Sequence, residues 1–413
     1  MIFDDPAPVV VAFSGGGDSL ALLLGAKAWA DRRGRRLVAI TIDHRLQPAG
    51  AEWALWCRRR ARALGVDHET LTWDGEKPAT GLAAAARRAR HALLATAARR
   101  RGAVVVLMGH TADDCAEAAA MRAAGATTPT PRTWAPSPVW PQGRGLFVLR
   151  PLLAIQRSDL RAALAGLGEI HIEDPSNRDP ASLRARVRAS LAATDFDPTA
   201  EDAAGRDIPP DHIVVREGPA ADLTLSLAAL VAARDAAASL GAALLCAAGT
   251  DRPPRRSAVE RLLARTAEGG PFTATLAGAR VESEEDWLHL ARDAGDQRRG
   301  AHFDLVPPPG EATVWDGRFE IVTAEPDARI GFLTGRAASL PAAIRGAVLS
   351  LPLGARRALP LVTYADGVLE CPSLVPSRRI RATSLALPRL LAARGGIIDE
   401  AALRRMAKRA DPS

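Results

Sequence analysis

The sequence is poor in aromatic and sulfur-bearing side chains. It has one tyrosine and eight phenylalanines in 413 residues. That leaves too few rings for a stacking platform of the single-strand-binding type. The four cysteines, Cys57, Cys115, Cys246 and Cys371, lie far apart, and none forms a CxxC pair. This spacing argues against a zinc ribbon, an iron–sulfur cluster and a disulfide framework, and it predicts ordinary reduced thiols. No apolar run reaches the ~18 residues needed to cross a bilayer, so no membrane partner is expected. The N-terminus, MIFDDPAPVVVAF, lacks the basic start of a secretory signal, which makes the cytoplasm the default location.

What is present is a soluble composition, 47% apolar and 24% charged. The length exceeds one ordinary core and predicts two or three domains. The net charge of +7, mostly arginine, is compatible with a nucleic-acid partner without requiring one.

The first ~190 residues alternate between strand-like and helix-like runs. VVVAFS precedes a helical SLALLLGAKAWADRRG, and LVAITIDH precedes EWALWCRRRARALG. HETLTW leads into GLAAAARRARHALLATAARRRG, and AVVVLMGH leads into TADDCAEAAAMRAAG. This rhythm predicts an α/β fold, a doubly wound parallel sheet with helices on both faces and ligands beyond the C-terminal strand ends. Residues 125–145 read as a Pro-rich loop, and 193–211 read as a linker. A helical block then runs to about residue 266, and FTATLAGARVESEEDWLHLAR reads as a β-hairpin. Short strands and turns follow, with a basic helical tail at 386–410. The expected division is a catalytic domain at 1–195, a mainly helical domain at 210–300 and a small α+β domain at 301–413.

The most informative stretch is SGGGDS at 14–19, where the first strand breaks into glycines and a helix begins. Backbone amides at a helix N-terminus form an anion site, and glycine permits close approach. The Walker A pattern needs a GK pair that is absent, and the dinucleotide fingerprint fails at Leu20. A Gly-run turn with no special meaning remains the plain alternative. A second stretch, GHTADDCAE at 109–117, follows the fourth strand. Thr111 and Asp114 fit a capping box, which is the plain reading of Asp113 and Asp114. His110, Asp114 and Glu117 also fall at i, i+4 and i+7, one face of a helix starting there.

SGGGDS resembles the SGGxDS loop of the PP-loop ATP pyrophosphatases, which split ATP between its α and β phosphates and adenylate their substrate. The resemblance implies that Ser14, Gly15, Gly16, Gly17 and Ser19 cradle pyrophosphate and that Asp18 holds Mg²⁺. Taken in order, the motifs are similar to those of the tRNA(Ile)-lysidine synthetase family. They are SGGGDS, TIDHRL at 41–46, the Arg-x-x-Arg of Arg87 and Arg90, HTADD at 110–114, RPLL at 150–153, IEDPSNRD at 172–179 and LRARVR at 183–188. Together they span about the first 190 residues.

That family resemblance implies ATP and Mg²⁺ as cofactors, and L-lysine and tRNA(Ile) with anticodon CAU as partners, in a monomer or a homodimer. Asp114 and Glu117 would bind the lysine ammonium, and His110 would lie against the cytosine or its adenylated form. Arg87 and Arg90 would meet developing phosphate charge, and Asp43 would contact nucleotide at a strand end. Arg184, Arg186 and Arg188 would contact tRNA or ATP. For each arginine a solvated helix face is the plain alternative, and for Asp43 it is a strand-end turn. The chain also departs from the family pattern: Arg45 stands where glycine is usual, Gln47 replaces Arg and Cys115 replaces Gln. Ala185 interrupts an Arg-Asn-Arg pattern, and the Pro/Trp-rich 125–145 segment replaces a Gly-rich loop. A 2-thiolation enzyme would need paired cysteines, and an amidotransferase-linked enzyme would need a glutaminase domain. A non-catalytic tRNA-binding paralogue would be expected to lose Asp18, Asp114 or Glu117, and all three are present.

Overall fold

A computed structural model of the chain describes residues 3, 5–126, 128, 131, 134–136, 146–175, 179–180, 182–193, 214–250, 254–293, 295, 305–394 and 400. The expected boundaries at 195, 210 and 300 lie outside these residues. So do most of the 125–145 loop, the 193–211 linker after its first residue, Ser176–Arg178 of IEDPSNRD and most of the basic tail beyond 394. Contacts divide the chain into one unit of Met1–Ile208 with Ile397–Ser413, and a second of Pro209–Gly396.

The first unit is built on a sheet of β1 (Val9–Ala12), β2 (Leu37–Asp43), β3 (Asp67–Thr72), β4 (Val105–Leu107), β5 (Trp134–Pro136) and β6 (Phe147–Leu149). Their order is β3-β2-β1-β4-β6-β5. All pairings are parallel except that of β5 with β6. The predicted Pro-rich loop therefore contributes a short antiparallel edge strand. Here Pro136 sits in the strand at the very edge of the sheet, the place where its missing N–H can be tolerated.

The helices are α1 (Gly17–Arg33), α2 (Gly50–Ala63), α3 (Leu82–Arg100), α4 (Ala112–Ala123), α5 (Arg157–Gly166) and α6 (Leu183–Ala193). On one sheet face, Leu94, Ala95, Ala97 and Ala98 of α3 pack against Val10, Val38, Ile40, Val106 and Val148. Small residues let this helix lie close to the sheet. The alternate residues Val9, Val11 and Ala39 are also fully buried, so both faces are covered. That explains why these strands read as unbroken apolar runs rather than alternating ones. The connections reverse between β1 and β4, so their C-terminal ends open a crevice, the usual ligand position in such sheets.

In the second unit, β7 (Val215–Glu217), β8 (Leu223–Ser226), β9 (Phe272–Leu276), β10 (Ala279–Glu284) and β11 (Trp287–Arg292) form one antiparallel sheet. The helix Ala236–Ala248 is buried along most of its length, as its nearly all-apolar sequence requires. The segment predicted as one hairpin is a three-stranded meander. A second turn at Glu285–Asp286 splits its C-terminal half, with Glu285 at φ 41. Beyond it, β12 (Thr313–Trp315) and β13 (Phe319–Thr323) form a hairpin closed by Asp316–Gly317, both at positive φ as a type I′ turn requires. The Arg318 guanidinium is fully buried and bonded to Asp316 (2.6 Å) and to the carbonyls of Ala220 and Ala358.

Candidate active site

The loop after β1 is shaped by its own side chains. The Ser19 hydroxyl donates to the Gly16 carbonyl (2.9 Å), lies 3.1 Å from the Ser14 hydroxyl and receives the Ser14 N–H at 3.3 Å. Gly15 has φ +83, and a Cβ there would collide with Ile172 and sit 2.9 Å from Cys57 Sγ. Ile172 in turn donates its N–H to the Gly15 carbonyl at 2.9 Å, so the 170s segment caps the loop from outside. Gly16 is extended, and Gly17 starts α1, which leaves the first-turn amides free to face an anion. The last turn of the crevice is Gly109, where a Cβ would lie 3.0 Å from the Asp18 carbonyl. Glycine at 109 is what lets the end of β4 touch the start of α1.

Asp18 points into this crevice. Burial lifts its carboxyl above the usual range, and Arg157, bonded through Nε at 3.1 Å, pulls the other way. Asp43 stands at the end of β2, where its carboxylate accepts the Arg45 N–H at 2.8 Å. This is the strand-end turn given as the plain alternative. Arg45 is held at φ 51, the left-handed region, which accounts for glycine being usual there.

The capping box also forms: Asp114 accepts the Thr111 N–H at 2.8 Å. His110 lies just outside the helix, so it does not share the predicted helical face with Asp114 and Glu117. The capping role does not exhaust Asp114. Its other oxygen is bonded to Arg184 and lies 3.5 Å from Arg157 Nη2. Glu117, 2% exposed, is bonded by Arg184 Nε (2.6 Å), Arg188 Nε (2.7 Å), Arg188 Nη2 (3.1 Å) and Arg157 Nη1 (3.2 Å). Burial alone would raise its carboxyl, but Arg188 and Arg184 hold it below the usual range. Two of the three arginines expected to meet tRNA or ATP, Arg184 and Arg188, thus turn into this acid pair. Arg186 points outward and donates to the Pro180 carbonyl at 2.8 Å.

Near Asp114 lies a group of buried arginines. Burial, with Arg87 and Arg184 nearby, brings the Arg90 guanidinium down to about 10, and its Nε is buried with no hydrogen-bond partner among the described residues. Arg87 is pulled down as well, by burial and by Arg184. Arg150, brought to about 10 by burial and Arg87, donates through Nε to His110 Nδ1 at 3.2 Å. Burial and then Arg150, Arg90, Arg87 and Arg184 push His110 far below its usual range. It is therefore neutral. Arginine can only donate, so Nδ1 is the acceptor and the proton sits on Nε2.

Arg157 was not singled out from the sequence, yet it touches more of the site than any residue that was. A signal existed. Arg157 is the first residue of α5, where a cation opposes the helix dipole. Such a broken local rule marks a residue held for another purpose. Its own N–H is bonded to Asp113 at 2.8 Å.

The fold and site define an α/β domain with a glycine-rich loop between β1 and α1, and the PP-loop domain family matches residues 4–194. The tRNA(Ile)-lysidine synthase of Caulobacter vibrioides is 45% identical over 401 residues, covering 95% of this chain and 94% of that one. The protein of the same name from Hyphomonas neptunium is 36% identical, over 70% of this chain and 82% of its own length. That from a Bradyrhizobium strain is 36% identical over 72% and 93%. The chain belongs to the tRNA(Ile)-lysidine synthase family.

Proposed function

We propose that this chain uses ATP to join L-lysine to carbon 2 of the first-anticodon-position cytidine in tRNA(Ile) with anticodon CAU. ATP adenylates the carbonyl oxygen at that carbon and releases pyrophosphate. The ε-amine of lysine then forms a bond to the carbon, AMP leaves with the oxygen, and a proton is released. The product base pairs with A instead of G. The observation that carries this reading is the buried pair of Asp114 and Glu117, saturated with cationic partners and linked through Arg157 to the phosphate loop. A cation site beside a phosphate loop suits an amine and ATP together.

The proposed roles follow from the surroundings. The loop Ser14–Ser19 holds pyrophosphate as it departs. Asp18, a single partly open carboxylate at that loop, fits Mg²⁺, which takes most of its ligands from phosphates and water. When bound, the ion neutralises phosphate charge. Arg87 and Arg90 face the adenylated oxygen's phosphate, where a buried guanidinium gains most from an anion. Asp114 and Glu117 hold the lysine ammonium. His110, neutral with its proton on Nε2, donates a hydrogen bond and is not free to act as a base there. Glu117 is a weak base for the same electrostatic reason that makes it a good cation ligand. Asp43 remains a nucleotide contact at its strand end, and Arg186 is left to meet tRNA.

We assign catalysis to residues 1–195, and tRNA recognition to 210–300 and 301–413. An enzyme acting on tRNA belongs in the cytoplasm. Among the described residues no helix is long and apolar enough to cross a membrane. The test is transfer of radiolabelled lysine to tRNA(Ile) with anticodon CAU in ATP and Mg²⁺, beside an Asp18→Ala variant and a tRNA(Met) with the same anticodon. Label on tRNA(Ile) alone, lost in the variant, is the expected result. Bound tRNA without label overturns the reading in favour of a non-catalytic tRNA-binding protein.

A further inference from the structure

We infer that Arg157 occupies the ammonium site of the empty enzyme and releases it only when nucleotide binds. This rests on the function proposed above. A carboxylate offers about four acceptor positions. Glu117 uses all of them on guanidinium groups: Oε1 takes Arg157 Nη1 and Arg188 Nε, and Oε2 takes Arg184 Nε and Arg188 Nη2. The free oxygen of Asp114 is taken by Arg184, with Arg157 Nη2 at 3.5 Å. The resting site therefore has no room for a further cation. A lysine ammonium must replace a guanidinium, or meet three of them at close range.

Arg157 is the group built to leave. Arg184 and Arg188 project from α6 and, among the described residues, bond the acid pair alone. Arg157 also reaches the phosphate side, with Nε 3.1 Å from Asp18 Oδ2 and Nη1 3.8 Å from Asp113 Oδ1. Its main chain is pinned, because its N–H is bonded to Asp113 at 2.8 Å. Its side chain is the part that can swing. Phosphate oxygens accept a guanidinium in a bidentate fashion and bring more charge than the shared carboxylates do. A divalent cation at Asp18 also repels Arg157 from that carboxylate. Nucleotide thus draws Arg157 off Glu117 and Asp114 and opens two acceptor positions for an ammonium. The enzyme binds ATP before lysine, and by linkage lysine tightens ATP by the same factor.

The test titrates L-lysine calorimetrically into the full-length protein with unmodified tRNA(Ile) transcript in every arm. One arm contains Mg²⁺ and α,β-methylene-ATP, which cannot be cleaved at that bond, and the other contains neither. The wild type should bind lysine at least about tenfold more tightly with nucleotide. Arg157→Gln should shrink that factor to about twofold or less by strengthening lysine binding in the nucleotide-free arm. A fold defect alone would weaken both arms. If Arg157→Gln does not fold, Arg157→Lys carries the test: its shorter point charge cannot bridge Asp18 and Glu117, so the factor must still fall. Nucleotide-independent lysine binding in the wild type, or an unchanged factor in the variants, overturns the inference. Lysine transfer to tRNA is measured in parallel. Transfer without any detectable lysine binding also defeats the gate, whereas no transfer and no binding in any arm defeats the proposed function itself.

Discussion

Replacing Gly15 with alanine tests whether the phosphate loop is shaped by backbone need or merely by a preference for small residues. Two costs are visible. Gly15 sits at φ +83, where an L side chain costs about 1–2 kcal/mol. The new Cβ also collides with Ile172 and lies 2.9 Å from the buried Cys57 sulfur, an overpacking cost of about 1–3 kcal/mol. Alanine offsets roughly 0.4–1 kcal/mol of this by restricting the unfolded chain. The net loss is about 2–4 kcal/mol, felt locally at β1 and the start of α1. Because the chain has two units, the measurement is native-state hydrogen exchange of peptides covering residues 9–23 rather than a single melting temperature. Exchange through local opening should rise about 30- to 1,000-fold there and stay unchanged in the second unit. Adding Ile172→Ala should recover the steric part and leave the φ part, so the double variant regains about half the loss. Exchange within about twofold of wild type in Gly15→Ala, or no recovery from Ile172→Ala, would refute this reasoning.

Other outcomes follow from the same geometry. Glu117→Gln removes a charge that meets three guanidinium groups, so the KM for lysine should rise about 10- to 150-fold, read from steady-state lysine transfer at saturating ATP. A lysine KM within about twofold of wild type would place Glu117 outside the ammonium site. Arg45→Gly relieves the left-handed backbone and gives up only an exposed pair with Asp74, so it should leave stability unchanged or raise it by up to about 1 kcal/mol, measured by urea unfolding. His289 is buried, which lowers its affinity for protons, but Asp222, bonded at 2.8 Å, and then Glu282 together more than reverse this and raise its pKa above the ordinary value. The charged pair therefore contributes fully below the ordinary histidine value and fades as pH rises through the higher folded value. The melting-temperature gap between wild type and His289→Gln should accordingly narrow from about pH 5.5 to about 8.5, and a gap that widens would reverse the assigned charge state. His110, held neutral, should not produce an acid limb of the pH–rate profile at the ordinary histidine value, and such a limb that disappears in His110→Asn would contradict that.

The strands of the first unit were legible because each is buried on both faces and so spells an uninterrupted apolar run. The loop at 14–19 was legible because Gly15 stands at φ +83, a backbone conformation that glycine adopts freely, just where the strand turns into a helix. The motif order was legible as chemistry, since Asp18 and Asp114 occupy first helical turns at the open ends of the strands and Glu117 follows one turn along the same helix as Asp114. Local rules misread the 272–292 segment, because a turn at Glu285–Asp286 carries no glycine to announce it. They also missed the edge strand at Trp134–Pro136, whose three residues pair only because β6 offers a free edge. What no sequence pattern contained was the pairing of charges. Arg184 and Arg188 read as contacts to tRNA or ATP or as a solvated helix face, and Arg157 as one arginine among many in an arginine-rich chain. A guanidinium's partner is set by which carboxylate lies within reach in space, and Arg157 is 40 residues from Glu117 and 139 from Asp18 along the chain. The sequence alone determined the layered fold, the phosphate loop and the acidic pair, because these depend on periodicity and on residues a few positions apart. Only the tertiary structure decided that three arginines fill the acidic pair, because that depends on α4, α5 and α6 converging at the open ends of the strands.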